Sequence, residues 1–417
     1  MRRAGRRVAF IVRAALLTLV GASVSLSGCG PTPPATPAPS DTPAAIATLP
    51  PTPIQPAAFD AGAPGDHAIG PDDAFLTILV YCDFQAPECA EVAAHLDALR
   101  AQHQDAGGVR IVWRHFPQTD IHDKAGLALQ ASEAAAAQGA FWPMHDLLLA
   151  RQAVWAGQTP DAFRETVRGY AGELGLDVAA FTAALDGGTY ANLVERARAQ
   201  AMGFGLDEMP ALAFNGQPYA GGLQLWALDA MARATLLQQR WYDDSPDLVI
   251  DLERAYRATI ATEKGDITVA LFIEQAPVAV NNFVFLAREG WYDGSTFFNV
   301  TDMMAVSGDP TDTGLGAPGY RIVDETDNGL GFSEPGRVAM LRLDRPNSAG
   351  SQFFITREAL PPDFDGRYTI FGQVVDGMEV VQALALRDPF TDPPPPPGDR
   401  ILSITIEQLA PDSGAAD

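Results

Sequence analysis

A polar hinge constrains this chain more than any other feature. Asp243-Asp244-Ser245-Pro246-Asp247, at the centre of the stretch from Trp241 to Asp251, separates two halves written in different patterns. Before it, Ala74 to Tyr81 and Val109 to Trp113 read as short apolar strands, and Ala-rich helical sequence fills most of 124–202. After it, Tyr256 to Thr262 and Asp266 to Phe272 alternate around Glu263-Lys264-Gly265, a hairpin signal. Ala276-Pro277 then opens a helix whose apolar face is Val280, Phe283, Val284 and Leu286-Ala287. Strand-like segments with Gly-rich turns recur up to Ile406. A chain of 417 residues has room for two or three domains. The expected units are 67–245 and 255–410.

The first 28 residues are not expected to belong to either unit. Arg2, Arg3, Arg6, Arg7 and Arg13 flank an apolar run from Ala14 to Leu26, which is short for a bilayer span. The run ends in Leu26-Ser27-Gly28-Cys29, which resembles the bacterial lipoprotein box. That resemblance implies cleavage after Gly28, lipidation of Cys29 and an extracytoplasmic, membrane-anchored protein. Residues 29–66 are rich in Pro, Ala and Thr, a composition that buries no core and suits a tether. Lys+Arg number 28 against 52 Asp+Glu, a formal charge of −24. This balance argues against nucleic acid as a partner, because phosphates need a cationic surface.

In the first unit, the strand to Tyr81 runs into Cys82-Asp83-Phe84-Gln85-Ala86-Pro87-Glu88-Cys89. Arg114-His115-Phe116-Pro117 follows the next strand, and Met209-Pro210 precedes another. Together these resemble the DsbA-like branch of the thioredoxin fold, an α/β domain with a helical insertion. The resemblance implies that Pro210 is cis and faces a redox site built on Cys-x-x-Cys at a helix start, where the helix N-terminus favours a thiolate. Here that frame reads Ala86-Pro87-Glu88-Cys89, so the attacking thiol is absent and Ala86, Cys89 and Pro210 form a degenerate redox site. Cys82 and Cys89 are left either as two inert, partly buried thiols or as a disulfide, with active dithiol exchange the weakest reading. His115, His122 and His145 lack metal-ligand spacing, and no metal or cofactor is expected.

The second unit carries Asn347-Ser348-Ala349-Gly350-Ser351-Gln352-Phe353-Phe354-Ile355 and then Asp365-Gly366-Arg367-Tyr368-Thr369-Ile370-Phe371-Gly372. With Ser307-Gly308-Asp309 and Tyr292-Asp293-Gly294, these blocks resemble the cyclophilins, peptidyl-prolyl isomerases built on a closed antiparallel β-barrel. The resemblance implies that Gln352 bonds the substrate backbone and that Phe297, Met303, Met304, Phe354, Phe364 and Tyr368 shape a prolyl pocket. The family's Phe-His-Arg-Val reads Phe297-Phe298-Asn299-Val300, so the catalytic positions fall to Gln352 and Asn299, and Asn299 stands where the reaction wants a cation. Val306 occupies the place of a Gln that would orient that cation. Arg342, on the adjacent strand-loop segment, is the candidate substitute for that cation, and substitution is the weaker reading.

The expected clients are unfolded or proline-containing polypeptides. Three functions remain in view: a weakened prolyl isomerase acting on exported proteins, a non-catalytic tethered chaperone, and, disfavoured by Ala86, a thiol-disulfide oxidoreductase.

Overall fold

The computed structural model describes residues 59–62, 65–391 and 394–410. Cys29 and nearly all of the expected tether lie outside them. The first unit is a five-stranded sheet in the order β1-β3-β2-β4-β5, formed by His67–Ile69 (β1), Leu76–Cys82 (β2), Val109–His115 (β3), Ala211–Phe214 (β4) and Gln217–Tyr219 (β5). β2 and β3 run parallel, joined by helix α1 (Pro87–Gln102), and the remaining pairs are antiparallel. β2 is buried on both faces, which is why its sequence is almost continuously apolar. Ile78 and Val80 enter the core beneath the helices, while Leu79 and Tyr81 pack with Phe59, Ala201 and Leu206 on the other side.

Between β3 and β4 the chain runs through α2 (Ala125–Ala136), α3 (Phe141–Ala150), α4 (Gln152–Trp155), α5 (Pro160–Glu173), α6 (Val178–Asp186) and α7 (Ala191–Gly203). Thr159 and Asp177 cap α5 and α6 by accepting from first-turn amides, as Thr and Asp at that position do. Helix α8 (Leu225–Leu237) follows β5. The Met209-Pro210 bond is cis.

The second unit is an eight-stranded antiparallel sheet in the order β13-β6-β7-β12-β10-β11-β9-β8. Its strands are Tyr256–Thr262 (β6), Gly265–Leu271 (β7), Asn299–Val300 (β8), Met304–Ser307 (β9), Arg337–Met340 (β10), Phe353–Thr356 (β11), Ile370–Asp376 (β12) and Ile401–Gln408 (β13). Helix α9 (Pro277–Arg288) has Pro at its first turn and covers the sheet with Val280, Phe283, Val284 and Leu286. Phe283, Tyr292 and Phe353 meet edge-on or tilted at centroid distances of 5.3–5.6 Å. Contacts of this kind add about 0.5–1.5 kcal/mol each beyond the area they bury.

The closed barrel is corrected to a half-barrel. No ladder joins the terminal strands β13 and β8; the isolated bridges Thr296–Arg400 and Val300–Arg387 stand near the gap. The reason is length: β8 has only two residues, too few to ladder with neighbours on both sides.

The hinge is not free. Leu237, Ile250 and the half-buried Tyr242 pack with the second core, and the Tyr242 amide donates to Pro318 O at 2.9 Å. Arg240 lies over the Trp291 ring, 5.3 Å from its centroid.

Candidate active site

The half-barrel register assembles a lateral row. Asn299 pairs with Val306, Val306 with Phe354, Phe354 with Ala339 and Ala339 with Ile370. Paired residues of an antiparallel sheet share a face, so one row from the β8 edge inward supplies an apolar floor. Above it opens a concave slot of about 1120 Å³, counting its open mouth, lined by Asn299, Met304, Gln352, Phe354, Phe364 and Tyr368 among others. Phe354 is fully buried, and the Tyr368 ring meets it edge-on at 5.3 Å with Phe364 stacked beyond. Burial pushes the Tyr368 phenol up, so it stays a neutral donor at ordinary pH.

The structure therefore brings together Gln352, Asn299, Met304, Phe354, Phe364 and Tyr368. It does not bring Phe297, which is 0% exposed in the main core. Successive residues of an extended segment point to opposite faces, and Phe298 lines the slot instead. Met303 packs beneath the floor cluster without lining the slot.

Gln352 is held by a loop. Its Nε2 donates to Gly314 O at 3.0 Å and to Gly316 O at 2.9 Å, leaving Oε1 as an acceptor. The loop is organised by the buried Asp309 carboxylate, which accepts from the amides of Thr311, Thr313 and Gly316. Gly316 is required there, because a Cβ would lie 1.9 Å from Asp309 Oδ1.

Asn299 makes no side-chain hydrogen bond among the described residues and faces the slot as a neutral amide. Arg342 also lines the slot. It donates from Nε to Arg367 O at 2.6 Å, sits 3.6 Å from Asp324 and lies over Tyr368. It follows β10, and β8 and β10 are separated by β9 and β11, so along the sheet it stands about 14 Å from Asn299's strand. Arg387 is nearer to β8, but it donates to the carbonyls of Phe298 and Pro396 and does not line the slot. Sequence reasoning missed Phe298, Phe390 and Arg321 in the slot wall and the Gly314–Gly316 loop; the closely spaced glycines were the one available signal.

Where a degenerate redox site was expected, Cys82 and Cys89 are joined in a disulfide with Cα atoms 5.7 Å apart, and both are buried. Ala86 is 2% exposed at the start of α1. Gln152 Nε2 donates to Phe84 O at 2.7 Å and to Ala86 O at 2.8 Å, closing the turn from behind. Beside it lies a group that sequence spacing did not reveal. His67, His115 and Glu133 hold their donor atoms within 4.8 Å of one another. His67 and His115 approach Glu133 Oε1 through Nε2 at 2.7 and 2.9 Å. Trp113 Nε1 donates to His115 Nδ1 at 3.4 Å, which makes Nε2 the proton-bearing nitrogen. A metal on Nε2 would turn a proton toward the Trp113 donor, so protons bridge this cluster. His122 is pinned to Asp83 Oδ2 at 2.8 Å.

Residues 257–406 match the family described as cyclophilin type peptidyl-prolyl cis-trans isomerase/CLD, and residues 62–231 match the thioredoxin family. The peptidyl-prolyl cis-trans isomerase-like 1 of Rhizopus delemar is 43% identical over 129 residues, 30% of this chain and 77% of that protein. The probable peptidyl-prolyl cis-trans isomerase A of Mycobacterium bovis is 39% identical over 167 residues, 36% of this chain and 91% of that protein. A Na(+)/H(+) antiporter NhaA of Herminiimonas arsenicoxydans is 38% identical over 170 residues, 41% of this chain but 25% of that protein. With its slot, its Gln352 loop and these matches, the chain belongs to the cyclophilin-type peptidyl-prolyl cis-trans isomerases and carries a thioredoxin-like unit ahead of the family's domain.

Proposed function

We propose that the second unit isomerises Xaa-Pro bonds of exported polypeptides, at a rate held down by Asn299. The observation that carries this reading is the slot, whose apolar floor of Met304, Val306 and Phe354 lies beside Gln352 while only a neutral amide occupies β8. Rotation about the peptide bond crosses a barrier of about 18–20 kcal/mol set by resonance. No covalent bond changes, so catalysis means binding the twisted amide better than the planar one. The floor accepts the prolyl ring and Gln352 holds the flanking backbone. As the amide twists, its nitrogen becomes basic and profits from a nearby donor. Asn299 offers a neutral hydrogen bond, about half as strong as a charge-assisted one.

A protease-coupled assay of the full chain on an Ala-Ala-Pro-Phe-type peptide tests this. Slow turnover is expected, falling further in Gln352→Ala, and Asn299→Arg should raise kcat/KM by about ten-fold. Turnover at the family's usual pace that is unchanged in Gln352→Ala would overturn the site.

The second reading is a peptide holder without turnover. It is favoured by Arg387, the cation next to β8, being tied to backbone carbonyls. Binding of proline peptides with no turnover, before and after Asn299→Arg, selects it.

The helices between β3 and β4 are read as the insertion of the DsbA-like branch. Cys29 is read as the lipid attachment point of an extracytoplasmic, membrane-anchored protein. A Cys29→Ala chain should then leave the membrane fraction for the soluble one.

A further inference from the structure

The geometry points to Arg233, on the thioredoxin-like unit, as a positioning residue for the prolyl slot of the other unit. Asp229, Arg233 and Leu237 are spaced by one helical turn on α8 and so share a face. That face meets the second unit. Arg233 Nη1 donates to Thr311 O at 2.6 Å. Asp229 Oδ2 steadies the guanidinium at 2.9 Å from its Nε, and His103 Nε2 in turn holds Asp229 Oδ1 at 2.8 Å. One turn on, the buried Leu237 places Cδ2 3.1 Å from where a Cβ on Gly316 would sit.

Both contacts fall on the loop that holds Gln352. Thr311 and Gly316 are tied to each other through Asp309, which accepts from their amides at 2.7 and 3.0 Å. The carbonyls of Gly314 and Gly316 both receive Gln352 Nε2. A continuous set of hydrogen bonds and one apolar contact thus runs from α8 through the loop to the side chain that clamps substrate. Asp309 ties the loop internally; two outside anchors locate it, Asp312 accepting from Thr296 at its near end and α8 reaching Thr311 and Gly316. Without the α8 anchor the Gly314–Gly316 end of the loop is held from Asp312 alone and carries Gln352 with it when it moves, and an amide about 1 Å out of place loses its hold on the peptide. This gives the thioredoxin-like unit a task that needs no thiol.

The inference rests on the reading of the slot as the isomerase site, and its test keeps the two apart. In the full chain, Arg233→Ala should weaken binding of a proline peptide on the order of five-fold, the loss of one hydrogen bond's worth of positioning. It should also shift the side-chain amide resonance of Gln352 in a 1H–15N spectrum. Arg233→Lys, which keeps a cationic donor toward Thr311 O, should recover part of both. Arg168→Ala, removing an exposed ion pair with Asp186 elsewhere in the first unit, is the control and should change neither. An Arg233→Ala chain whose peptide affinity and Gln352 resonance move no further than those of the control overturns the proposal. Absence of turnover in the unmodified chain would sink the isomerase reading alone, because affinity and the Gln352 resonance still report the coupling.

Discussion

On the reading proposed above, each half of this molecule lacks a reactive residue that the families it resembles carry, at Ala86 in the first unit and at Asn299 in the second, and the two places are built differently. In the first unit the place is sealed. Ala86 is buried, Gln152 caps the turn carbonyls, and Cys89 has turned to Cys82. In the second unit the place is open. Asn299 is half-buried in the wall of a slot that still has its floor, its aromatic rim and its Gln352. The chemistry explains the contrast. Dithiol exchange needs an exposed thiolate, so losing one sulfur removes the reason to expose the other. A peptide slot works first by shape, and shape survives the loss of a charge.

The largest test of that contrast is to restore the open site fully. Asn299 and Val306 are direct partners across β8 and β9. The double variant Asn299→Arg/Val306→Gln supplies both the cation and a neighbour to orient it, and kcat/KM should rise on the order of 100-fold over the unmodified chain and exceed the single Asn299→Arg variant. No gain would mean that the second site is as closed to chemistry as the first.

Next in size, Cys82→Ser opens the short loop closed by the disulfide and should cost about 2 kcal/mol in urea unfolding. It should leave insulin disulfide turnover at background, and thiol turnover that vanishes in Cys89→Ser would break the comparison from the other side.

The smallest effect is pH dependence in the proton-bridged cluster behind the sealed site. Burial pushes the Glu133 carboxyl up, but hydrogen bonds from His115 and His67 outweigh it and hold it down, from 4.5 to about 2. Burial likewise lowers His115 from 6.5, against the pull of Glu133. Both groups bind protons less readily folded than unfolded, so each stabilises the fold at higher pH and loses that contribution as pH falls. The His115 part begins to fade below pH 6.5, and the Glu133 part fades between 4.5 and about 2. Glu133→Gln should flatten the lower window, an effect that solvent screening of this half-buried carboxylate holds to on the order of 1 kcal/mol. Equal acid titration of the two chains by circular dichroism would refute it.

Much of the architecture was legible because local signals agreed. Glu263-Lys264-Gly265 turns between β6 and β7, and Pro277 begins α9, each where its own stereochemistry points. Phe354 and Gln352 were legible as slot residues because they lie within one long matching block, Asn347 to Ile355. Phe297 was not, because a two-residue strand offers no alternation from which to read a face. The Cys82–Cys89 bond depends on where a strand end meets the first turn of α1, which spacing does not determine. Open ends on the second sheet were hidden for a similar reason, since closure depends on ladder length at β8. The hinge misled most: its aspartates announce a solvated connector and conceal Tyr242 and Ile250, which pack with the second core.

Helix α8 has a consequence for how this protein can be divided. Leu228 and Ala232 belong to the first core, while Leu237, at the same helix's end, belongs to the second. It is a party wall: a scissile point on either side of it leaves one neighbour with a missing course of bricks. Cutting this chain at the polar run that looks like a natural border would therefore leave the helix with the first module and take Leu237 from the second core.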